Sequence, residues 1–342
     1  NKKPKIIEEE NYFFKLSKYE KEILKLVSSK NFIVPEGFRK EIVNRIKSDG
    51  LKDISVSRPG MDWGIDTPID KEHKIYVWID ALSNYISALG YPNDKKFKKY
   101  WPADIHVVGK GINWFHSVIW PAILMSAEIE LPKKILVHGY LTFNGKKISK
   151  SLGNAIDPTA LVKKYSVDPL RYTLVKDIPF NQDGDFSENS LKERVNNELA
   201  NDLGNLVSRT LTLCEKYFDG ILDKQEDDGL LKKLNLNKIE KYFSKYELHH
   251  ALEEIWKFVR ESNKYVNDKE PWKNEDDRKK VLYNLLESLR VISIFISPFM
   301  PETSERINNQ LGVGIGLLED IKFGWHGKYN VKKEGVLFKK LE

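Results

Sequence analysis

The chain has 342 residues, 41% of them hydrophobic and 31% charged, with a formal net charge of +6 and a single cysteine. That balance fits two or more cored domains and excludes a disordered chain; no apolar run nears the roughly 18 residues of a membrane span, and Asn1 to Phe14 holds no signal-peptide core, so a cytoplasmic protein is expected. The lone thiol, Cys214 in a helical pattern, excludes a disulfide framework or a multi-cysteine zinc site and reads as core, and the modest charge permits a nucleotide or RNA partner without demanding one.

Residues 1–74 are polar and mixed, with a helix expected at Lys18–Ser28 and turns at Arg58–Pro68; pattern alone leaves their fold open. From about Ile75 the period changes. "HKIYVWID", "ADIHVVG" and "KKILVHGYLTF" read as buried strands, with "ALSNYISALG" and "INWFHSVIWPAILMSA" as helices between them. This β-α-β-α-β rhythm predicts a parallel, doubly wound, Rossmann-like sheet. Next comes "NGKKISKSLGNAIDP" (Asn144–Pro158), whose two glycines free the backbone while Lys146, Lys147 and Lys150 can reach toward negative charge; a solvated basic turn has the same composition. Asp157-Pro158 and Asp168-Pro169 each predict a helix start. From about Ser190 the pattern is helical. Leu199, Leu203, Leu206 and Val207 form one stripe, Leu248, Leu252, Ile255 and Val259 a second, and Leu282, Leu285, Leu286, Leu289 and Ile296 a third, ended by Pro298 and Pro301. These stripes predict an all-α bundle, with Asp219–Gly229 as a loop.

Three constellations could carry chemistry. Ile112, His116 and Trp120 lie four apart on one helix, beside Phe115, and could line a pocket; a core-facing stripe has the same spacing. Trp78, Ala81, Leu82 and Tyr85 straddle a strand end and the following helix, where open parallel sheets bind ligands, although core packing places residues there too. Asn201, Asn205 and Arg209 recur every four residues opposite the leucine stripe, with groups that read base edges or simply meet water. Trp272 follows Pro271 at a helix end, where it could stack on a base or plug the bundle.

Lys147-Ile148-Ser149-Lys150-Ser151 matches the lysine-loop motif of class I aminoacyl-tRNA synthetases, with isoleucine in place of methionine. Together with "DWGIDTP", "YVWIDALSNYISALG", "YWPADIHVVGK", "FHSVIWPAILMSA", "HGYLTFNGKKISKSLGN", "QDGDFSE" and "NNELANDLGNLVSR", it makes nearly the whole chain resemble the methionyl-tRNA synthetases. The resemblance implies Lys147, Ser149 and Lys150 as catalytic residues, and Lys147, Lys150, Gly109 and His138 as ATP-binding. It also implies a methionine pocket of Trp78, Ala81, Leu82, Tyr85, Ile112, His116 and Trp120, and anticodon readers Asn201, Asn205, Arg209, Pro271 and Trp272. ATP with Mg2+, L-methionine and tRNA(Met) are the implied substrates and partners, with no metal bound by this portion, zinc included.

Two features depart from the family. Gly111 stands where the family usually carries aspartate, so a polar contact expected to serve the bound adenylate is missing. No His-Ile-Gly-His-type motif is present, and Asn1 falls within the family's inserted segment, beyond its zinc knuckle. The expectation is a carboxy-terminal portion: residues 1–74 the end of the inserted segment, 75–144 the second half of the catalytic fold, 145–189 the lysine loop and linking helices, and 190–342 the anticodon-binding bundle. Without the first half, the strands near Val77 and Val108 should expose an edge and an apolar face, the missing amino-terminal half becomes a further partner, and the isolated chain should form no adenylate. The alternative is a non-catalytic tRNA-binding protein derived from a synthetase.

Overall fold

The computed structural model describes residues 8–148 and 157–342, which form two compact units divided between Tyr140 and Leu141. The first unit runs through β1 (Phe13–Phe14), α1 (Glu20–Ser28), β2 (Ile33–Val34), α2 (Glu36–Asp49), β3 (Ile54–Ser55), β4 (Ser57–Pro59) and β5 (His73–Ile75). It continues through α3 (Val77–Ser87), α4 (Lys95–Tyr100), β6 (His106–Gly109), α5 (Trp120–Ser126) and β7 (Ile135–His138). Ile23 and Val27 on α1, like Ile42 and Ile46 on α2, lie four apart, so each helix has one apolar face turned into the core of this unit.

The expected parallel sheet is present, in the order β2, β7, β6, with Ile33 and His106 both opposite Ile135. Two assignments change. "HKIYVWID" is not a buried strand: β5 takes three of its residues into an antiparallel pair with β4, and α3 begins at Val77. Trp78, Leu82, Tyr85 and Ile86 repeat at three to four residues, and that helical period overrides the short β-branched run. The third strand of the sheet comes instead from Ile33–Val34, too short to show any period. The run "KKILVHGYLTF" breaks after His138, so that only β7 belongs to the first unit.

Among the described residues β6 pairs with β7 alone and forms an edge. The expected apolar face does not involve a strand at Val77, which begins α3: Val77 there and Val107 on β6 are 62% and 61% exposed, while Val108 is buried. Alternate strand side chains face opposite ways, and His106 and Val108 are the pair that turns inward.

The second unit begins with the hairpin of β8 (Leu141–Phe143) and β9 (Lys146–Lys147), joined by Asn144 and Gly145 at φ 50° and 72°, the left-handed pair that a tight hairpin turn requires. β10 (Gly184–Phe186) runs parallel to β8. Asp157 caps α6 (Pro158–Tyr165), its carboxylate accepting the Thr159 amide at 2.8 Å. α7 (Val167–Asp177) starts just before the expected Asp168-Pro169, which leaves Asp168 free to accept the Thr303 amide at 2.6 Å instead of capping its own helix.

α8 (Glu188–Arg194) passes through a π-wound stretch, Val195–Gly204, into α9 (Asn205–Phe218), and β11 (Ile221–Asp223) follows. The bundle is completed by α10 (Leu236–Ser244), α11 (Leu248–Lys269), α12 (Arg278–Ile296) and α13 (Pro301–Leu311), before β12 (Lys328–Asn330). The predicted stripes are buried together, apart from a half-buried Leu248, and Cys214 lies in the same core. Each such leucine stabilises the unit by about 1.5–3 kcal/mol. The Asp219–Gly229 loop contains β11, which pairs antiparallel with β12, and Tyr329, Val331 and Leu337 bring the last segment back onto the bundle as non-helical chain. No described helix is long and apolar enough to cross a membrane.

Candidate functional site

Within the first unit, α3 and the helix leading into α5 build an aromatic pocket. All four of Trp78, Ala81, Leu82 and Tyr85 stand on α3, because its helical start lies further upstream than the sequence pattern suggests. Opposite them the chain is π-wound over Phe115–Ile119, the Trp120 amide reaching the Phe115 carbonyl, a local winding that recurs at functional sites. His116 Nδ1 lies 2.9 Å from the Ile112 carbonyl, and Tyr85 Oη lies 2.9 Å from His116 Nε2. A carbonyl only accepts, so Nδ1 carries the proton and the Tyr85 hydroxyl donates to Nε2. Burial lowers the His116 pKa and raises that of Tyr85, which keeps both groups neutral.

Trp78 stacks on Phe115 with ring centroids 4.0 Å apart, and Tyr85 lies 4.2 Å from His106. Leu82, His116 and Trp120 form the buried floor, whereas Ala81 and Tyr85 are exposed and Trp78 is half-buried. Sequence reasoning missed two members, His106 and Trp101. His106 alternates with Val108 on the inward face of β6, which was a usable signal; nothing in the local sequence marks Trp101, whose ring lies 6.1 Å from both His106 and Trp120. Burial, with His116 nearby, holds the His106 pKa down at about 4. His106 Nε2 and Trp120 Nε1 are buried and find no protein partner, polar points in an apolar pocket that a bound molecule or an ordered water would satisfy. Such a box suits an uncharged, flexible and polarizable side chain.

In the same unit, Gly109 and His138 face each other at the carboxyl ends of β6 and β7, where open parallel sheets bind nucleotides. A side chain on Gly109 would contact the His138 ring at 3.6 Å. Of the lysine sequence in the second unit, Lys147 contributes backbone to β9; its side chain, and Ser149 and Lys150 entirely, lie outside the described residues. The entry to that stretch is fixed by Asp185, whose Oδ1 accepts from the Gly145 amide at 2.7 Å and the Thr142 hydroxyl at 2.6 Å.

On the bundle, Asn201 and Asn205 are exposed and Arg209 half-buried along one face. The Arg209 guanidinium sits 5.5 Å from the Trp272 ring centroid and donates to Asn267 Oδ1 at 2.9 Å. α11 ends at Lys269, Glu270 turns left-handed, and Pro271 is buried so that Trp272 lies half-exposed against the core. Arg278 holds this corner by donating to the Pro271 carbonyl at 2.6 Å and stacking on Tyr217 at 3.9 Å. Tyr217, Asn267 and Arg278 carried no sequence signal, since they meet only through the packing of α9, α11 and the start of α12. Amides, a guanidinium and an indole on one face can read and stack unpaired bases.

Residues 1–211 match the family model for class I tRNA synthetases (M), and residues 227–328 the anticodon-binding domain of tRNA ligases. The methionine–tRNA ligase of Caldanaerobacter subterraneus is 50% identical over 98% of this chain and 56% of its own length. That of Thermotoga maritima is 48% identical over 89% of this chain and 50% of its own length. The chain thus spans about half the length of these relatives. The Mycobacterium tuberculosis methionyl-tRNA synthetase bound by methionyl-adenylate superposes with a TM-score of 0.88 at 37% identity, covering 97% of this chain and 69% of that one.

Proposed function

The chain belongs to the class I tRNA synthetases of the methionyl branch, and on that premise we propose that it supplies the methionine pocket, lysine loop and anticodon-binding bundle of a cytoplasmic methionine–tRNA ligase. The observation that carries this is the pocket, in which a neutral Tyr85–His116 pair is locked by the Ile112 carbonyl inside an aromatic box on the unit that also holds the strand ends. In the reaction the methionine carboxylate attacks the α-phosphate of ATP, the bond to pyrophosphate breaks, and the adenylate then passes its methionyl group to tRNA(Met). Trp78, Ala81, Leu82, Tyr85, Ile112, His116 and Trp120 hold the thioether side chain; Gly109 and His138 bound the nucleotide. Lys147 and Lys150, with Ser149 between them, meet the charge growing on the leaving pyrophosphate, which Mg2+ accompanies as part of the substrate. Asn201, Asn205, Arg209, Pro271 and Trp272 read the anticodon.

The functional division runs through residues 1–74, 75–144, 145–189 and 190–342. The exposed edge of β6, with Val107 beside it, is the surface on which the rest of the ligase completes the sheet, and without that part the chain makes no adenylate. A tRNA-binding protein without activation chemistry is the second reading, and Gly111 favours it; a pure binder, however, has no use for the pocket. The deciding experiment is pyrophosphate exchange in the ligase completed with the portion of its relatives' length that this chain does not span. Lys150→Ala should slow methionine-dependent exchange by about 3 kcal/mol of barrier, on the order of a hundredfold, with the KM for methionine unchanged. An unchanged rate would remove the assigned role.

A further inference from the structure

The helix that carries Asn201 is not α-wound where Asn201 stands. From Val195 to Gly204 it is a π-helix, and the Asn205 amide still reaches back five residues to the Ala200 carbonyl. Each turn then holds more residues than an α-helical turn, so side chains on this stretch are rotated about the axis relative to those on α9. The four-residue spacing of Asn201, Asn205 and Arg209 therefore does not by itself bring Asn201 into line with the other two; the winding does. The stretch ends at Gly204, where a Cβ would come within 3.1 Å of the Leu199 carbonyl oxygen.

Two side chains of α11, seven residues apart, hold this stretch from outside. Trp256 is fully buried, and its Nε1 donates to the Glu198 carbonyl at 3.3 Å. Asn263 Nδ2 donates to the Asp202 carbonyl at 2.9 Å, and to the Val259 carbonyl of its own helix at 3.3 Å. Two carbonyls on one side fix the orientation of the amide, because an oxygen there would meet only acceptors. The other end of the amide, Oδ1, is buried and finds no protein partner. A buried amide satisfied at one end only costs stability that an apolar residue of the same size would not, so a stabilising role alone does not account for Asn263. What it does supply is a fixed point on the winding: Asp202 follows Asn201 directly, and the Asn205 amide shares the Asp202 carbonyl.

We infer that Asn263 is a positioning residue for anticodon recognition: it holds the π-wound stretch at Asp202, so that Asn201 joins Asn205 and Arg209 on one reading face. This rests on the proposed reading of the anticodon and adds to it a residue that acts through another. Asn201 and Asn205 are exposed, whereas Asn263 has its Oδ1 buried and its Nδ2 engaged.

The test is a gel-shift of this chain with tRNA(Met) and with the same tRNA changed at its anticodon. Asn263→Leu removes the donor at nearly constant size, and Asn263→Ala removes it where the branched side chain does not fit. Each should lower the preference for tRNA(Met) about tenfold. In an Asn201→Ala background the same substitution should cost little more, because its effect passes through Asn201. In a Trp272→Ala background its loss should add in full, because Trp272 stands beyond the end of α11 and shares no partner with Asn263. An unchanged preference in both Asn263 variants would overturn the inference, as would losses that add in full to Asn201→Ala. Equal coupling to the two backgrounds would overturn it too, since a general loosening of the bundle produces that result. Absence of any preference for tRNA(Met) in the unsubstituted chain would instead overturn the anticodon reading beneath it.

Discussion

His106 illustrates what a single buried side chain can and cannot announce. In the fold its pKa is about 4 against an ordinary 6.5, because burial disfavours the charged ring and His116 adds to the effect. Between those two values the unfolded chain binds the more protons, so stability is fully present above the ordinary value and falls as the pH drops toward 4, by about 3 kcal/mol from this residue. His116 acts in the same direction. We expect His106→Phe to flatten the loss of first-unit stability between about pH 6.5 and about pH 4, measured by denaturant unfolding across that window. An identical pH slope in the variant would mean that His106 is not buried neutral. Of the other pocket residues, Ile112, His116 and Trp120 were legible from their helical spacing, whereas Trp78, Ala81, Leu82 and Tyr85 were singled out at an expected strand end that is in fact the start of α3. What the repeat could not reveal is which of them stay open and which are floor, since that depends on Trp101 and His106 arriving from elsewhere in the chain.

At the scale of elements, length decided what could be read. The bundle helices carry stripes several turns long and stand where the pattern puts them, whereas β2 is two residues and β11 and β12 are three each, too short for a period to emerge. α12 adds a subtler case. Glu287 and Arg290 sit three apart, an arrangement that suits a solvated helix face, yet both are buried, with Arg290 Nη2 2.9 Å from Glu287 Oε2. The reason is the chain beyond α13: Arg290 also donates to the Asp320 and Lys322 carbonyls at 2.7 and 3.0 Å, and Glu287 accepts from the Gly324 amide at 2.8 Å and from the Tyr329 hydroxyl. The pair therefore fastens the returning segment, β12 included, to α12. Glu287→Ala leaves a buried guanidinium uncompensated and should destabilise the second unit by about 3–5 kcal/mol, while Glu287→Leu with Arg290→Met should cost much less. Denaturant unfolding of the three proteins checks this, and equal losses in both variants would show that packing, not charge, holds the segment.

For the whole molecule, each of the two units has a hydrophobic core of its own. The second unit has its own extensive core, from Leu161 to Leu337, and the face bearing Asn201, Asn205, Arg209 and Trp272 is built on that core alone. Anticodon recognition should accordingly survive in this chain even though it spans about half the length of its relatives. The most direct measurement is a gel-shift of this chain with tRNA(Met) and with the same tRNA changed at its anticodon, repeated with Trp272→Ala. Preferential binding of tRNA(Met), weakened by the variant by about 1–3 kcal/mol, is the expected result. Equal affinity of the unsubstituted chain for the two tRNAs would contradict the account.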